Sequence, residues 1–215
     1  LSFIIVILIF CSLAIYEFQK LIQYKSPVPF ILFGFIVYQF YNKKLNPYLH
    51  LSLLCLSVIC NILLTYFLFS KKIIPLMPYQ KIVLTLFYLV ASSYFIIATS
   101  SLGSSIENGI TISMYFIVWV NNSFAYIFGK KWGRKLLFKE ISPKKTWEGF
   151  LGGAIMCFAS SFLLIFYHPS YPSWTFPLIS ILIVVTSTVG DLVQSKFKRQ
   201  ASVKDSGSLI PGHGG

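Results

Sequence analysis

Seven long apolar runs dominate this 215-residue sequence and restrict what it can fold into. A helix needs about 20 mostly apolar residues to cross the hydrocarbon core of a bilayer. Only 11% of the residues are charged, whereas a soluble domain carries roughly 25%. We therefore exclude a soluble enzyme and predict an all-α integral membrane protein, a polytopic bundle of about seven transmembrane helices. The predicted spans are residues 1–16, 27–41, 48–69, 82–103, 109–128, 149–167 and 174–189.

The domain organisation predicted from this pattern is a single transmembrane domain over residues 1–215. The sequence opens on Leu1 and closes on Pro-Gly-His-Gly-Gly, so we expect a fragment that is incomplete at both ends. The four cysteines lie inside apolar runs and form no Cys-x-x-Cys pair. This placement predicts helix packing for them, and neither a disulfide framework nor a zinc site.

Basic residues are concentrated in alternate loops. Sixteen of the 18 Lys and Arg residues follow odd-numbered spans, and only Lys43 and Lys44 follow an even-numbered one. Because cytoplasmic loops carry the excess of Lys and Arg, the loops after spans one, three, five and seven are predicted to be cytoplasmic. Two stretches, residues 129–149 and 190–215, hold 11 of the cations, and this alternation places both on the same side.

The first stretch continues into span six and reads GKKWGRKLLFKEISPKKTWEGFLGG over residues 129–153. Ser142 followed by proline is typical of a helix N-cap with proline at the first helical position. We therefore predict a helix that starts at Ser142 and runs through Thr146 and Glu148 into span six.

Two lysines lie in the first turn of that predicted helix. Helix N-termini attract anions, and the helix dipole alone would favour acidic residues at the positions of Lys144 and Lys145. Cations there suggest an anionic ligand. The alternative is that both lysines contact lipid headgroups as part of the positive-inside signal.

The second stretch begins at the end of the last span. Asp191 ends an apolar helix, and Ser195 lies one turn further along the same face. An acid at the membrane boundary of an otherwise uncharged span indicates a functional site. The alternative is a helix-end carboxylate paired with Lys198 or Arg199.

Beyond this helix the sequence becomes rich in glycine. Lys204 and Asp205 precede a closing Pro-Gly-His-Gly-Gly segment, whose glycines would let backbone N–H groups approach phosphates closely. His213 in this segment could be a ligand, a general acid or a hydrogen-bonding loop residue.

These motifs carry a resemblance to a known family. Ser195-x-Phe-Lys-Arg, then Lys204-Asp-Ser-Gly after four residues and Ile-Pro-Gly-His-Gly-Gly after two more, resembles the signature of the phosphatidate cytidylyltransferases, the CDP-diacylglycerol synthases. Gly-Asp-Leu at 190–192 and ISPKKTWEG at 141–149 are similar to other signature segments of that family. The signature segments cover residues 119–153 and 190–215.

The resemblance implies an enzyme of phospholipid biosynthesis that joins CTP and phosphatidate to give CDP-diacylglycerol and pyrophosphate, and that requires Mg²⁺. It also implies an integral protein of the bacterial inner membrane with its site at the cytoplasmic face. The expected partners are CTP, phosphatidate and the lipid bilayer, with no nucleic acid; a homodimer is left open.

The resemblance also assigns residues. Asp191 matches a metal ligand of the family. The implied catalytic residues are Asp191, Lys204, Asp205 and His213. The implied substrate-binding residues are Asn122, Ser142, Lys144, Lys145, Thr146, Glu148, Ser195, Lys198, Arg199, Pro211, Gly212, Gly214 and Gly215.

The sequence departs from the family pattern at three points. The Asp-Arg pair that follows His-Gly-Gly would begin beyond Gly215, so we expect this fragment by itself to be inactive. Asn122 stands where the family commonly has Asp, and Gln194 stands where it often has Glu. Each amide keeps an oxygen that could face a metal but removes a charge.

Two other functions compete with this interpretation. An anion transporter or channel could use the basic loops as an entrance, but it predicts ionisable residues near the bilayer midplane or broken helices repeated in two halves. Another CTP-using lipid enzyme, such as a polyprenol or phytol kinase, predicts similar charge without the Lys-Asp and Pro-Gly-His-Gly-Gly spacing.

Overall fold

The structure is a computed structural model, and it describes residues 2–42, 46–70, 72–100 and 108–207. Lys43, Lys44 and the predicted site residues Pro211, Gly212, His213, Gly214 and Gly215 lie outside these ranges. The elements are α1 (Ser2–Leu21), α2 (Val28–Tyr41), α3 (Pro47–Phe69), α4 (Pro78–Leu84), a π-helical turn (Thr85–Val90), α5 (Ala91–Ser100), α6 (Asn108–Trp132), β1 (Leu136–Phe138), β2 (Ser142–Thr146), α7 (Trp147–Tyr167) and α8 (Thr175–Gln200).

Each of the seven predicted spans is helical in the part that the structure describes, which confirms the predicted fold class. Among the residues that the structure describes, five helical segments are long and apolar enough to cross a membrane: Pro47–Phe69, Pro78–Thr99, Gly109–Trp132, Trp147–Tyr167 and Thr175–Gln200. Helix α2 is a shorter apolar helix of 14 residues. Large apolar side chains such as Trp119, Ile155 and Phe166 are exposed, as a lipid-facing surface requires. The chain is an integral membrane protein.

The chain divides into two compact units, Leu1–Ser101 with Lys196–Gly215, and Leu102–Ser195. In the first unit, Ile15, Phe33 and Tyr94 are almost fully buried in a core shared by α1, α2 and α5. The Tyr94 hydroxyl lies 2.7 Å from Nδ1 of His50 on α3, so the polar tip of this buried ring has a partner.

The last residues of α8 are anchored within the first unit. Lys196 is buried, and its ammonium donates a hydrogen bond to the Phe67 carbonyl oxygen near the end of α3. The Gln200 amide exchanges two hydrogen bonds with the backbone of Ile74, at 3.1 and 2.7 Å. Lys196 therefore satisfies a helix-end carbonyl in addition to contributing to the positive-inside count.

The second unit is built around a close pairing of α6 and α7. Gly149 and Gly153, four residues apart on α7, lie directly against the backbone of α6. A Cβ at Gly149 would lie 2.6 Å from the Ala125 carbonyl oxygen, and one at Gly153 would lie 2.8 Å from the Asn121 side-chain oxygen. Small residues at this spacing let two membrane helices approach closely. Hydropathy and charge alone did not predict this close contact at the two glycines.

A small antiparallel hairpin connects these two helices. Residues Leu136 and Thr146 are paired, as are Phe138 and Ser142, with a bulge between the two pairs. The prediction of a helix starting at Ser142 is therefore wrong, because Ser142 begins β2 and the helix begins at Trp147. The proline after Ser142 is tolerated in this short edge strand, which needs few backbone donors. Thr146 is the actual N-cap, and its hydroxyl oxygen accepts the Gly149 N–H at 3.2 Å.

Candidate functional site

The hairpin places the motif SPKKT, residues 142–146, at one end of the α6–α7 pair. β2 carries Lys144 exposed and Lys145 half-buried, directly before the first turn of α7. In an extended strand, neighbouring side chains point to opposite faces. Lys144 and Lys145 therefore leave the backbone in different directions, which they would not do to the same degree in a helix. The N-terminus of α7 follows directly, and the positive end of its helix dipole favours an anion.

Glu148 fixes the hairpin relative to α7. Its carboxylate accepts the backbone N–H of Arg134 at 3.0 Å and that of Lys135 at 3.2 Å. The Trp147 N–H closes the same connection by donating to the Lys135 carbonyl oxygen at 2.9 Å. Glu148 does not line the cavity described next, so its observed contacts are those of a residue that positions the hairpin.

A cavity of about 340 Å³ lies within the second unit, between the hairpin and helices α6, α7 and α8. This volume is in the range of small-ligand sites. Six of the residues that the sequence predicted for the site line it: Asn122, Ser142, Lys144, Lys145, Thr146 and Asp191. The structure thus brings together residues from two motifs that are separated by about 45 positions in the sequence.

Asp191 and Lys145 form an ion pair in this cavity. Their side chains are 50% and 29% exposed, so both remain accessible to a ligand. A lysine held against a lone carboxylate can turn to a phosphate oxygen when a polyphosphate enters, while the carboxylate becomes free to bind a cation.

The cavity wall includes residues that the sequence analysis missed. These residues are Asn121, Ala125, Tyr126, Leu137, Gly149, Phe150 and Thr188. Asn121 is 3% exposed and is the neighbour of the predicted Asn122 in an otherwise apolar helix. Two consecutive amides in an apolar span were a usable signal, because polar side chains inside membrane helices face a partner or a cavity.

Oxygen donors in the cavity suit a hard divalent cation. The Asp191 carboxylate, the Asn122 amide and the Thr188 hydroxyl all line it. Within the described ranges, no group of three or more His, Cys, Asp or Glu side chains is placed to hold a metal. One carboxylate with neutral oxygens nevertheless fits Mg²⁺, which protein sites commonly hold with one or two carboxylates plus substrate phosphates.

The remaining predicted residues lie elsewhere. Ser195 ends the second unit and does not line the cavity. Lys198, Arg199, Lys204 and Asp205 belong to the first unit.

Asp205 lines a separate cavity of about 470 Å³ within that first unit, together with Lys20 and Gln23. The Lys-Asp-Ser-Gly motif requires glycine at its last position for a steric reason, because a Cβ at Gly207 would collide with the Glu17 carboxylate on α1.

Comparison with known proteins identifies the family of this chain. The model of the cytidylyltransferase family matches residues 1–215. A phosphatidate cytidylyltransferase of Staphylococcus haemolyticus is 34% identical over 169 residues, which cover 77% of this chain and 63% of the relative. One from Bacillus subtilis is 42% identical over 113 residues, 51% of this chain and 42% of the relative. The chain thus spans less than two thirds of the length of these curated relatives.

Proposed function

Because this chain belongs to the cytidylyltransferase family, we propose that the protein containing it transfers a cytidylyl group from CTP to phosphatidate. The products are CDP-diacylglycerol and pyrophosphate. The observation that supports this proposal most is the cavity in which Lys144, Lys145 and Asp191 meet at the N-terminus of α7. Two cations, one carboxylate and the positive end of a helix dipole are the groups that a polyphosphate and its counter-ion need.

The reaction is an in-line displacement at phosphorus. A phosphate oxygen of phosphatidate attacks the α-phosphorus of CTP, and the bond from that phosphorus to the bridging oxygen of the β-phosphate breaks. Pyrophosphate leaves with the electron pair. An ionised phosphate needs no base to remove a proton, so the protein contributes mainly by positioning and charge neutralisation.

Different residues in and beside the cavity bind the phosphates and position the hairpin and α7. Lys144 and Lys145 hold phosphate oxygens of CTP and phosphatidate and offset their charge. The Thr146 hydroxyl caps α7 by accepting the Gly149 N–H, which fixes the start of the helix beside the two lysines. Glu148 holds the hairpin in register through the backbone of Arg134 and Lys135.

Asp191 and Asn122 would hold Mg²⁺, with substrate phosphates completing its coordination. Bound there, the cation would neutralise charge on the triphosphate. Asp191 pairs with Lys145 in the structure, so the protein already balances this carboxylate before a cation arrives. Asn122 is exposed on α6 and presents a neutral oxygen, which lowers the total negative charge that the substrate phosphates meet.

The site location follows from the distribution of charge. The hairpin lies in the loop after span five, on the side where Lys and Arg are in excess, and we assign this side to the cytoplasm of the bacterial inner membrane. CTP then enters from water, while phosphatidate reaches the site laterally from the bilayer. Family membership favours this nucleotidyl transfer over the alternatives of an anion transporter and of a polyprenol or phytol kinase.

The experiment is the incorporation of labelled CTP into chloroform-soluble lipid by the full-length protein, with phosphatidate and Mg²⁺. We expect Lys145→Ala to lower the rate by about a hundredfold, as loss of a preorganised group at a phosphate site does. Lys139→Ala is the matched control, because Lys139 is an exposed cation of the same hairpin that does not line the cavity. Absence of incorporation by the wild type would overturn the proposed function, and equal losses in both variants would show that only general surface charge matters.

A further inference from the structure

The hairpin between α6 and α7 is tied to the membrane boundary at both ends. Helix α6 ends at Trp132, and α7 begins at Trp147. The two tryptophans are 49% and 48% exposed, and tryptophan is enriched where a membrane span meets water. The connection between them, residues 133–146, therefore starts and finishes at the level of the lipid headgroups.

The hairpin is also too short to extend far from this level. Its strands have three and five residues. A strand advances about 3.3 Å per residue, so even an upright hairpin reaches only about 10–17 Å. The headgroup layer of one leaflet is roughly 5–8 Å thick, and salt screens charges over about 8 Å. Charges near the base of the hairpin therefore act directly on the lipid headgroups.

The base of the hairpin carries a basic patch of four residues, Lys130, Lys131, Arg134 and Lys135, all of them exposed. Residues 129–147 contain seven Lys and Arg but one acid, Glu140. The four residues of the basic patch do not line the cavity, so they are not placed to hold a nucleotide bound there. Their charge needs a different partner.

Two cations of the basic patch lie over aromatic rings at the end of α6. Lys131 Nζ is 4.6 Å from the centroid of the Trp132 ring, and Lys130 Nζ is 5.9 Å from that of the Tyr126 ring. Both rings are exposed. Lysine stems lie along apolar surface while their charged ends remain in the polar layer, and the face of a ring attracts the ammonium group. These contacts hold both ammonium groups beside the membrane boundary.

The position and charge of the basic patch indicate an anionic lipid as its partner. A cluster of four or more Lys and Arg next to a membrane span is typical of such a site, and each cation near the surface adds to the attraction. A phosphate monoester carries about −1.5 to −2 charges near pH 7, whereas the phosphate diester of other anionic phospholipids carries a single charge. Phosphatidate, a monoester, is therefore attracted most strongly.

We propose that the basic patch is a docking surface for phosphatidate of the surrounding leaflet, which it gathers beside the cavity. The same hairpin supplies Leu137, Ser142 and Lys144 to the cavity wall, so a lipid held at its base is close to the site. The choice of phosphatidate rests on the proposed function, in which this lipid is the acceptor. The basic patch raises the local fraction of substrate, so it contributes to KM and not to kcat.

The test measures which lipids contact the full-length protein in bilayers of phosphatidylcholine. Spin-labelled phosphatidate, phosphatidylglycerol and phosphatidylcholine are added in turn, and electron paramagnetic resonance gives the fraction of each that the protein immobilises. We expect the wild type to immobilise phosphatidate most and phosphatidylcholine least, with a preference that weakens as salt is raised. Lys130→Gln combined with Lys131→Gln should lower the preference for phosphatidate over phosphatidylcholine by about threefold or more.

Lys25→Gln combined with Lys139→Gln is the matched control. Both lysines are exposed, one in the loop after α1 and the other at the tip of the hairpin, so the same number of charges is removed outside the basic patch. We expect this pair to keep the wild-type preference. Lys130→Arg combined with Lys131→Arg should keep it too, because the charges remain. In the incorporation assay, the Lys130→Gln and Lys131→Gln pair should need about threefold more phosphatidate for half-maximal rate and reach the same maximal rate.

Three results would overturn the proposal: equal immobilisation of phosphatidate and phosphatidylcholine by the wild type, equal immobilisation of phosphatidate and phosphatidylglycerol, or equal losses in the test and control pairs. The last result would show that only the net charge of the protein matters. The lipid measurement needs no CTP, so it is independent of the reaction. A wild type that gathers phosphatidate but incorporates no CTP would overturn the proposed function and leave the docking surface in place.

Discussion

Replacing Gly149 by alanine tests the helix contact that places the cavity. The new Cβ would lie 2.6 Å from the Ala125 carbonyl oxygen and 3.1 Å from the Gly129 Cα, whereas ordinary contacts begin at 3.4 Å. Both neighbours are backbone atoms, so they cannot yield without moving α6 away from α7. Overpacking of this kind costs about 1–3 kcal/mol. For a chain of this size that corresponds to a loss of about 2–4 °C in melting temperature for each kcal/mol.

The alanine variant keeps the Gly149 N–H that the Thr146 hydroxyl oxygen accepts, and the new Cβ would lie 3.2 Å from that oxygen as well. All of these contacts come from the added methyl group, so the loss is assigned to it. Displacing the first turn of α7 by about 1 Å would also lower the rate of CTP incorporation, by roughly a hundredfold. The assay is thermal unfolding of the purified full-length protein in detergent, followed by incorporation of labelled CTP.

Gly34→Ala is the matched control, because a Cβ at Gly34 would meet no atom within 4 Å. This variant should be as stable as the wild type, or slightly more stable because alanine favours helix more than glycine does. A Gly149→Ala protein that melts with the wild type, or both variants melting equally early, would refute the close α6–α7 contact.

Three further predictions concern the hairpin and its side of the membrane. Thr146→Ala should lower stability by about 0.5–2 kcal/mol through loss of the α7 cap, and Thr146→Ser should restore it, as measured by thermal unfolding. Glu148→Gln should speed hydrogen exchange of the Arg134 and Lys135 amides, because a neutral acceptor holds them less tightly; unchanged exchange would show that the carboxylate does not hold this turn. Cysteines introduced by Lys139→Cys and Lys43→Cys should be labelled from the cytoplasmic and the opposite side respectively, and labelling of both from one side would refute the alternation of loops.

The sequence predicted the helices well because hydropathy and length determine which segments can cross a bilayer. Hydrogen bonds inside a span must be satisfied within the helix, so local composition is enough to recognise it. The hairpin was not predicted, because Ser142 followed by proline is equally suited to a helix start and to an edge strand. Residues 142–146 form a strand because they pair with β1 and because Glu148 contacts Arg134 and Lys135. These are tertiary interactions, which the local sequence does not specify.

Only part of the site could be predicted, because some of its residues are conspicuous in the sequence whereas others are brought to the cavity by tertiary packing. Lys144, Lys145 and Asp191 stand out because charges at the ends of apolar spans are conspicuous in a sequence. Ala125 and Phe150 are apolar residues among many in their helices, and their place in the cavity wall depends on how α6 and α7 face each other. The glycines that allow this approach, Gly149 and Gly153, are spaced by four residues, a pattern visible in the sequence.

The most direct test of the proposed reaction is the rate of CTP incorporation by Asp191→Asn in the full-length protein, measured against Mg²⁺ concentration beside the wild type. The amide keeps the size of the side chain but removes the one carboxylate that the described part of the chain contributes to the cavity wall. We predict activity that requires Mg²⁺ in the wild type and a loss of at least about a hundredfold in the variant, with unchanged thermal unfolding. Normal turnover by a folded Asp191→Asn protein, at the same Mg²⁺ concentrations as the wild type, would contradict the assignment of this cavity as the site of cytidylyl transfer.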